Sequence, residues 1–215
     1  MRNNRKDKDF IFDTLQDISE NEYDNAVEDQ MYTMLFFRQL EKGEIWINET
    51  ISSATVSRIN MNLNYLNEKK DIEIIKMYIN SRGGSLFDSL ACADFIRTTD
   101  KPVHTYATGV AMSGALLLFV AGDYRYAYPF STFMAHDQRL EYINGSRDII
   151  RKELVFQDSL NTKMIGFLEG RTGLDKKEWE KYMMSDSEVY IDAVEAVEIG
   201  IANEIIEHKK GESND

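Results

Sequence analysis

The feature that most constrains the fold is a unit of strand, glycine turn and helix that occurs twice near the middle of the chain. The first unit comprises the apolar strand IEIIKMYI, a turn from Asn80 to Ser85 with two adjacent glycines, and the helix SLFDSLACADFIRT. In the second unit, the strand PVHTYAT leads into an apolar helix that carries Ser113. A strand that stops at glycine before a helical period predicts an α/β chain of short repeating units.

The same alternation extends on both sides of these units. IWINETI is predicted to be a strand, and the apolar residues after it recur at the spacing of a helix. Beyond Gly122, the short strands RYAY and STFMA are separated by Pro129, and a helix of ~25 residues is predicted from Ser146 onward. The segments DKKEWEKYM, VYI, DAVEAVEI and IANEII complete the pattern as helix, strand, helix and strand.

Composition predicts one domain with a polar segment at each end. Residues 1–30 carry nine acidic and four basic side chains without a clear period, which predicts a mobile or partner-ordered extension. The domain is predicted to span residues 31–208, and residues 209–215 form a polar tail. The net charge of −12 argues against nucleic acid or an anionic membrane as the main partner, because both would repel the surface.

The sequence offers neither a membrane span nor a metal site. No apolar run approaches the roughly 18 residues of a spanning helix, and no apolar core follows the basic residues near the N-terminus. One cysteine, Cys92, and three histidines are too few for a zinc cluster of the usual spacing. We therefore expect a cytoplasmic protein without a metal or cofactor, in which Cys92 is a buried small hydrophobe.

Ser113 lies at the start of an apolar helix, where a serine is often only a small core residue bonded to its own helix. As a nucleophile it would need a base, most often a histidine, whose reference pKa is near neutrality. Of the three histidines, His208 lies in the polar C-terminal segment and His104 in the first part of a strand. His136 ends the strand STFMA, and α/β folds gather their chemistry at such strand ends, so His136 is the best candidate base.

Acyl transfer also needs donors for an oxyanion, commonly backbone N–H groups at a glycine turn or a helix N-terminus. Gly83, Gly84 and Gly114 could supply these groups. The Gly-x-Ser-x-Gly elbow of other hydrolases does not fit, because position 111 is alanine and the glycine directly follows the serine. A glycine turn, a serine at a helix start and a histidine at the next strand end nevertheless indicate acyl-transfer chemistry.

Four segments resemble motifs of the Clp protease proteolytic subunit family. YINSRGGS, GVAMSGALLLFVAG, STFMAHDQ and DAVEAVEIGIANEI are similar to the family's glycine, nucleophile, histidine and C-terminal motifs, in the same order. The resemblance covers residues 31–208 and implies the ClpP/crotonase fold, a spiral of β-β-α units with a long protruding helix. It further implies a serine endopeptidase.

Carried over residue by residue, the resemblance implies that Ser113 is the nucleophile and His136 the base. It assigns the oxyanion hole to the backbone N–H groups of Gly84 and Gly114. Two residues that flank the first of these glycines are expected to contact the substrate: Gly83 and Ser85.

The third member of the triad is less directly indicated. Counting back without a gap from the Glu-Ala motif at Glu195 leads to Glu188, and Asp186 lies two residues away. Triads work with either carboxylate, because both can orient the imidazole and stabilise its charged form. We favour Glu188 and keep Asp186 as the alternative.

The resemblance also implies partners. The substrate would be a peptide or an unfolded protein inside stacked homo-oligomeric rings, expected to be heptameric, with a Clp ATPase unfoldase as partner. The long helix after Ser146 carries more apolar surface than a small domain buries, and in the family this helix packs ring against ring. The family's unfoldase-docking pocket is aromatic; Tyr78 and Tyr126 match it, whereas Lys76 and Thr98 replace aromatic residues.

Departures from the family pattern keep other functions open. Arg82 stands where the family has proline, and Asp137 and Gln138 replace a Gln-Pro pair. AGDYRYAYP is shorter than in housekeeping members and is more similar to divergent or phage-associated branches, including capsid-maturation proteases. The alternatives are such a protease, a catalytically silent ring subunit or scaffold, and a crotonase-like acyl-CoA enzyme, which would not need both Ser113 and His136.

Overall fold

The computed structural model describes residues 20–136, 145–183 and 188–207, with side chains from Gln30 onward. Contacts divide the chain into two units, residues 1–42 and residues 43–215. In the first unit the structure describes one helix, α1 (Glu20–Leu40). The second unit contains all of the other elements. The domain boundaries at residues 30 and 208 stay predictions.

Strands and helices alternate along the second unit. In chain order they are β1 (Glu44–Ile47), α2 (Ser53–Glu68), β2 (Ile75–Ser81), α3 (Leu86–Arg97), β3 (Val103–Met112), α4 (Gly114–Ala121), β4 (Tyr124–Ala127), β5 (Thr132–Ala135), α5 (Arg147–Glu169), α6 (Lys176–Met183), β6 (Val189–Asp192), α7 (Ala193–Glu198) and β7 (Glu204–Ile205). The predicted α/β class is confirmed. The long helix is confirmed as α5, which begins after its cap, Ser146, whose hydroxyl accepts from the Ile149 N–H.

The seven strands of the described residues form one sheet. Its main path is β1-β2-β3-β4-β7, with every neighbouring pair parallel. The long strand β3 has two successive partners on one side: its first half pairs with β4, and Val110–Met112 pairs with β5. The strand β6 then pairs with β5 in the antiparallel direction. This arrangement brings the carboxyl ends of β3 and β5 together.

The two faces of the sheet differ because successive strand residues point to opposite sides. One face is apolar and fully buried, with residues such as Ile47, Met77 and Ala107. The other face carries an aromatic row, with one ring from each of four neighbouring strands: Trp46, Tyr78, Tyr106 and Tyr126. Successive rings of the row are stacked, with centroids 4.3, 4.7 and 4.7 Å apart.

One predicted strand end was wrong. The strand PVHTYAT was expected to stop before Gly109, but β3 continues to Met112. The Asn80 side chain explains the continuation, because its Oδ1 accepts a hydrogen bond of 3.1 Å from the Val110 N–H. A Cβ at Gly109 would lie 2.5 Å from that oxygen, so glycine here admits the bond instead of breaking the strand. As a result, Ser113 precedes α4 instead of lying within it.

The prediction that Cys92 is a buried small residue is confirmed. Cys92 is fully buried in α3, and burial raises the pKa of its thiol to about 12. Asp192 caps α7, since its carboxylate accepts hydrogen bonds from the N–H groups of Val194 and Glu195. Among the described helices, none has the length and apolarity needed to cross a bilayer.

Candidate active site

Ser113 occupies the junction between β3 and α4 in a backbone conformation that side chains rarely adopt. Its φ of 52° makes it the one described residue other than glycine with a positive φ. Such a conformation costs about 1–3 kcal/mol and persists only where the surroundings fix it. Here the Ser113 N–H donates to the Met134 carbonyl at 2.8 Å, and the Ser113 carbonyl accepts from the Leu116 N–H at 3.0 Å. This backbone conformation therefore directs the Ser113 side chain away from α4.

The Ser113 hydroxyl is directed to His136 and not to its own helix, contrary to the core-serine interpretation. It makes no capping bond to α4, and its Oγ lies 2.8 Å from His136 Nε2. The register of the sheet explains the contact. Met112 of β3 is paired with Met134 of β5, and β3 ends at this pair while β5 ends one residue beyond it. If Nδ1 carries the ring proton, Nε2 accepts the hydroxyl hydrogen, as a general base must.

The glycine turn after β2 is hydrogen-bonded to Ile51 and lies against the junction that carries Ser113. The Ile51 N–H donates to the Gly83 carbonyl and the Ser85 N–H donates to the Ile51 carbonyl, both at 2.9 Å. A Cβ at Gly84 would lie 2.1 Å from the Ile51 carbonyl oxygen, and one at Gly83, where φ is 94°, would lie 2.5 Å from the Met112 carbonyl oxygen. Only glycine permits this approach between the turn and the end of β3.

The approach brings two backbone N–H groups together beside the serine. A Cβ on Gly114 would lie 3.4 Å from the Gly84 nitrogen. Neither the Gly84 nor the Gly114 N–H donates to an acceptor within the described part of the chain. Gly114 is also the first residue of α4, where the helix dipole favours negative charge. The pair can therefore stabilise an oxyanion that forms near Ser113.

Two arginines that the sequence did not single out fix the other end of α4. Arg171 donates from Nη2 to the Gly122 carbonyl at 2.6 Å and from Nε to the Val120 carbonyl at 3.2 Å. Arg125 donates from Nη1 to the Gly122 carbonyl at 3.4 Å and from Nε to the Ile201 carbonyl at 2.8 Å. Burial, together with the charge of Arg171, lowers the pKa of Arg125 to about 10. Cations here satisfy the terminal carbonyls of α4 and complement its dipole, which holds the helix in place behind Ser113.

The structure places one of the two candidate acids. Ala135 of β5 is paired with Val189 of β6, so the next position along the antiparallel register puts Glu188 opposite His136. Glu188 lines the same cleft as His136. The hydroxyl of Tyr190 donates a hydrogen bond to Glu188 Oε2. Asp186 lies outside the described residues, and the choice of Glu188 over it stays a prediction.

The cleft has a volume of about 960 Å³ and joins the polar groups to an apolar wall. The polar side includes Ser113, His136, Glu188, Gly84 and Gly114. The apolar wall comes from α4 and α5, with side chains that include Leu116, Leu117, Phe156, Leu160 and Met164. The sequence indicated an apolar stripe on α5 but gave no sign that it would line this site. A long helix beside the nucleophile can hold an extended chain against the glycine turn.

The two predicted substrate contacts occupy different places. Ser85 lines the cleft, although its hydroxyl also caps α3 by accepting from the Asp88 N–H at 3.3 Å. Gly83 is buried and is not among the residues that line the cleft, so it shapes the turn without contacting the cleft. Of the histidine, cysteine and acidic side chains that the structure describes, no three lie close enough together to hold a metal ion.

Comparisons with known proteins identify the family of this chain. The sequence profile of the Clp protease family matches residues 27–209. The ATP-dependent Clp protease proteolytic subunit 1 of Prochlorococcus marinus is 32% identical over 181 residues, which cover 81% of this chain and 89% of that protein. The protein of the same name from Rhodopirellula baltica is 29% identical over 169 residues, which cover 78% of this chain and 73% of that protein. The predicted family and enzyme class are thus confirmed: this chain belongs to the Clp protease family and is a peptidase.

Proposed function

We propose that the chain is a serine endopeptidase whose triad consists of Ser113, His136 and Glu188, with Asp186 as the alternative acid. The observation that carries the proposal is the 2.8 Å contact between Ser113 Oγ and His136 Nε2 at a strained strand-to-helix junction. The oxyanion hole would be formed by the N–H groups of Gly84 and Gly114. Peptides or unfolded proteins would be the substrates.

In the proposed mechanism, His136 takes the proton of Ser113 as Oγ attacks a peptide carbonyl carbon. The resulting oxyanion accepts hydrogen bonds from the Gly84 and Gly114 N–H groups. The tetrahedral intermediate collapses when the protonated His136 gives its proton to the leaving amine, which breaks the C–N bond and leaves an acyl-enzyme. A water molecule, deprotonated by His136, then releases the carboxylate product and restores the serine. The carboxylate of Glu188 would orient the imidazole and stabilise its charged form.

Labelling with a fluorophosphonate tests the proposal without a known substrate, because this reagent phosphonylates an activated serine. Intact-mass analysis is expected to show one adduct per chain on the wild type and none on Ser113→Ala or His136→Ala. His104→Gln is a matched control, since His104 lies in β3 beside the ring of Tyr124 and does not line the cleft. This control should be labelled like the wild type.

The possible labelling outcomes separate the proposal from its alternatives. An adduct that persists on Ser113→Ala would show that another nucleophile reacts and would refute the assignment. A wild-type protein that stays unlabelled in its assembled form would point to the catalytically silent ring subunit.

We further propose that the chain works as a homo-oligomer of stacked rings. Support comes from two exposed apolar side chains on the first half of α5 that do not line the cleft, Leu154 and Val155. Val155 is 64% exposed, although α5 already has a buried stripe formed by residues such as Leu160 and Ile165. A helix with apolar residues outside its buried stripe is typical of a surface that another subunit covers.

Val155→Glu is expected to dissociate the assembly into smaller species, because it places a charge where apolar surface is buried between subunits. Sedimentation velocity at assay concentrations measures the change. Ser159→Glu is the matched control, since it adds the same charge to an exposed position of the same helix without removing apolar surface. A wild type that sediments as a stable monomer would refute the ring proposal.

An ATP-driven unfoldase is the proposed partner of the assembly. The relatives above carry ATP-dependent in their names. The aromatic row includes both predicted docking residues, Tyr78 and Tyr126, and stacked rings offer apolar surface to a partner loop. Lys76 lies two residues before Tyr78 and is paired with Glu44 of the neighbouring strand, which makes the border of the row polar.

A further inference from the structure

Tyr190 is joined to the proposed catalytic acid by its hydroxyl group. It lies two residues after Glu188, and positions two apart on an extended chain face the same way. The Tyr190 hydroxyl donates a hydrogen bond to Glu188 Oε2. Both residues line the cleft that contains Ser113 and His136. The tyrosine therefore contacts the acid from within the active-site cleft.

The register between β5 and β6 relates the hydrogen bond between Tyr190 and Glu188 to His136. The pairs of β5 and β6 run from Thr132 with Asp192 to Ala135 with Val189, so Glu188 occupies the next position, opposite His136. Opposite residues of antiparallel strands have Cβ atoms roughly 5 Å apart, which is within reach of a carboxylate and an imidazole. Glu188 directly precedes β6 and Tyr190 lies within it, so one short segment carries both residues into the cleft that contains His136.

A glutamate needs an anchor at such a position more than an aspartate does. Its side chain has one additional methylene and therefore one additional torsion whose freedom is lost when the carboxylate is fixed. A hydrogen bond from a tyrosine hydroxyl to one oxygen limits the rotation and the reach of the carboxylate. Charge-assisted hydrogen bonds of this kind are stronger than neutral ones.

We propose that Tyr190 is a positioning residue that holds the Glu188 carboxylate for His136. The inference rests on the proposed triad, because it assigns the acid to Glu188. Tyr190 would not contact the substrate carbonyl or take part in proton transfer. Its ring is 56% exposed, so replacement by phenylalanine removes one hydroxyl group without opening a cavity in the core.

The test is Tyr190→Phe, measured as kcat and KM for a fluorogenic peptide and as the rate of fluorophosphonate labelling. We expect kcat and the labelling rate to fall about ten-fold with little change in KM, because the loss lies in the orientation of the base and not in binding. Tyr182→Phe is the matched control: its hydroxyl donates to Glu195 Oε1 at 3.1 Å, and neither residue lines the cleft. The control should keep wild-type kinetics.

A double-mutant cycle shows whether Tyr190 acts through Glu188. Once Glu188→Gln has removed the carboxylate, adding Tyr190→Phe should cause no further loss. The inference is overturned if Tyr190→Phe matches or exceeds the wild type, or if its ten-fold loss persists fully in Glu188→Gln.

Failure of the inference can be told from failure of the proposed function. An unlabelled wild type refutes the serine peptidase proposal, and the role of Tyr190 falls with it. If the wild type is labelled and active and Tyr190→Phe has the same activity, only the role of Tyr190 is refuted. If Glu188→Gln also has wild-type activity, the acid is another residue, and Asp186 is the first position to vary.

Discussion

Peptide hydrolysis by the Ser113→Ala variant is expected to fall by about 10⁵-fold or more in kcat, because the covalent route is lost and only binding and the oxyanion hole remain. His136→Ala should cause a similar loss, since an unassisted hydroxyl is a poor nucleophile at neutral pH. The double variant should be no worse than either single variant. Triad members act as a unit, so their effects do not add.

Backbone strain at this position calls for a second variant. Ser113 has a φ of 52°, a strain that any residue with a Cβ carries, so Ser113→Ala keeps the strain of the wild type. Ser113→Gly removes the hydroxyl at a residue type that adopts positive φ without strain. Both variants should lose the same activity, while only Ser113→Gly relieves the strain and should melt later than Ser113→Ala. Ser57→Ala, on an exposed position of α2, should retain full activity. Residual turnover of a few per cent in Ser113→Gly would contradict the assignment.

The sequence predicted the residues at the centre of the site better than it predicted how they meet. Ser113 was selected because it lies at the start of an apolar helix and His136 because it ends a strand, and local patterns report such element ends well. Their contact depends on β3 pairing first with β4 and then with β5. That change of partner is a long-range property of the sheet, and alternation along the chain carries no information about it. The continuation of β3 through Gly109 was missed for the same reason.

The residues that hold the site in place also could not be predicted from local sequence patterns. Arg171 lies 49 residues after Gly122, whose carbonyl it satisfies, and the Ile201 carbonyl that Arg125 satisfies lies 76 residues after that arginine. Tyr190 appeared only as one apolar residue of the short strand VYI. Its link to Glu188 depends on where β6 begins. Helix α5 was predicted with nearly correct bounds, but its contribution to the cleft depends on packing.

Replacing either glycine of the proposed oxyanion hole with alanine is expected to lower kcat by about 10²- to 10³-fold, the usual cost of losing one oxyanion donor. Neither Gly84 nor Gly114 has a positive φ, so the cost arises from displacement and not from backbone strain. A Cβ at Gly84 would lie 2.1 Å from the Ile51 carbonyl oxygen, a backbone atom that accepts the hydrogen bond from the Ser85 N–H. A Cβ at Gly114 would lie 2.2 Å from Ser89 Oγ, the end of a side chain. Steady-state kinetics with a fluorogenic peptide measures both losses.

The obstacle at Gly84 is a backbone atom and the obstacle at Gly114 is a side-chain atom. A second substitution can therefore distinguish loss of the oxyanion hole from general damage to the fold. Ser89→Gly removes the Oγ at 2.2 Å and the Cβ at 3.1 Å, so it should restore most of the activity of Gly114→Ala. The same change should not help Gly84→Ala, because its obstacle is the Ile51 backbone. Ser89→Gly alone is the control, since it loses the bond from Ser89 Oγ to the Ser85 carbonyl and places a glycine within α3. If Ser89→Gly rescues neither variant or both, the oxyanion hole is not built from these two N–H groups in the way that the contacts indicate.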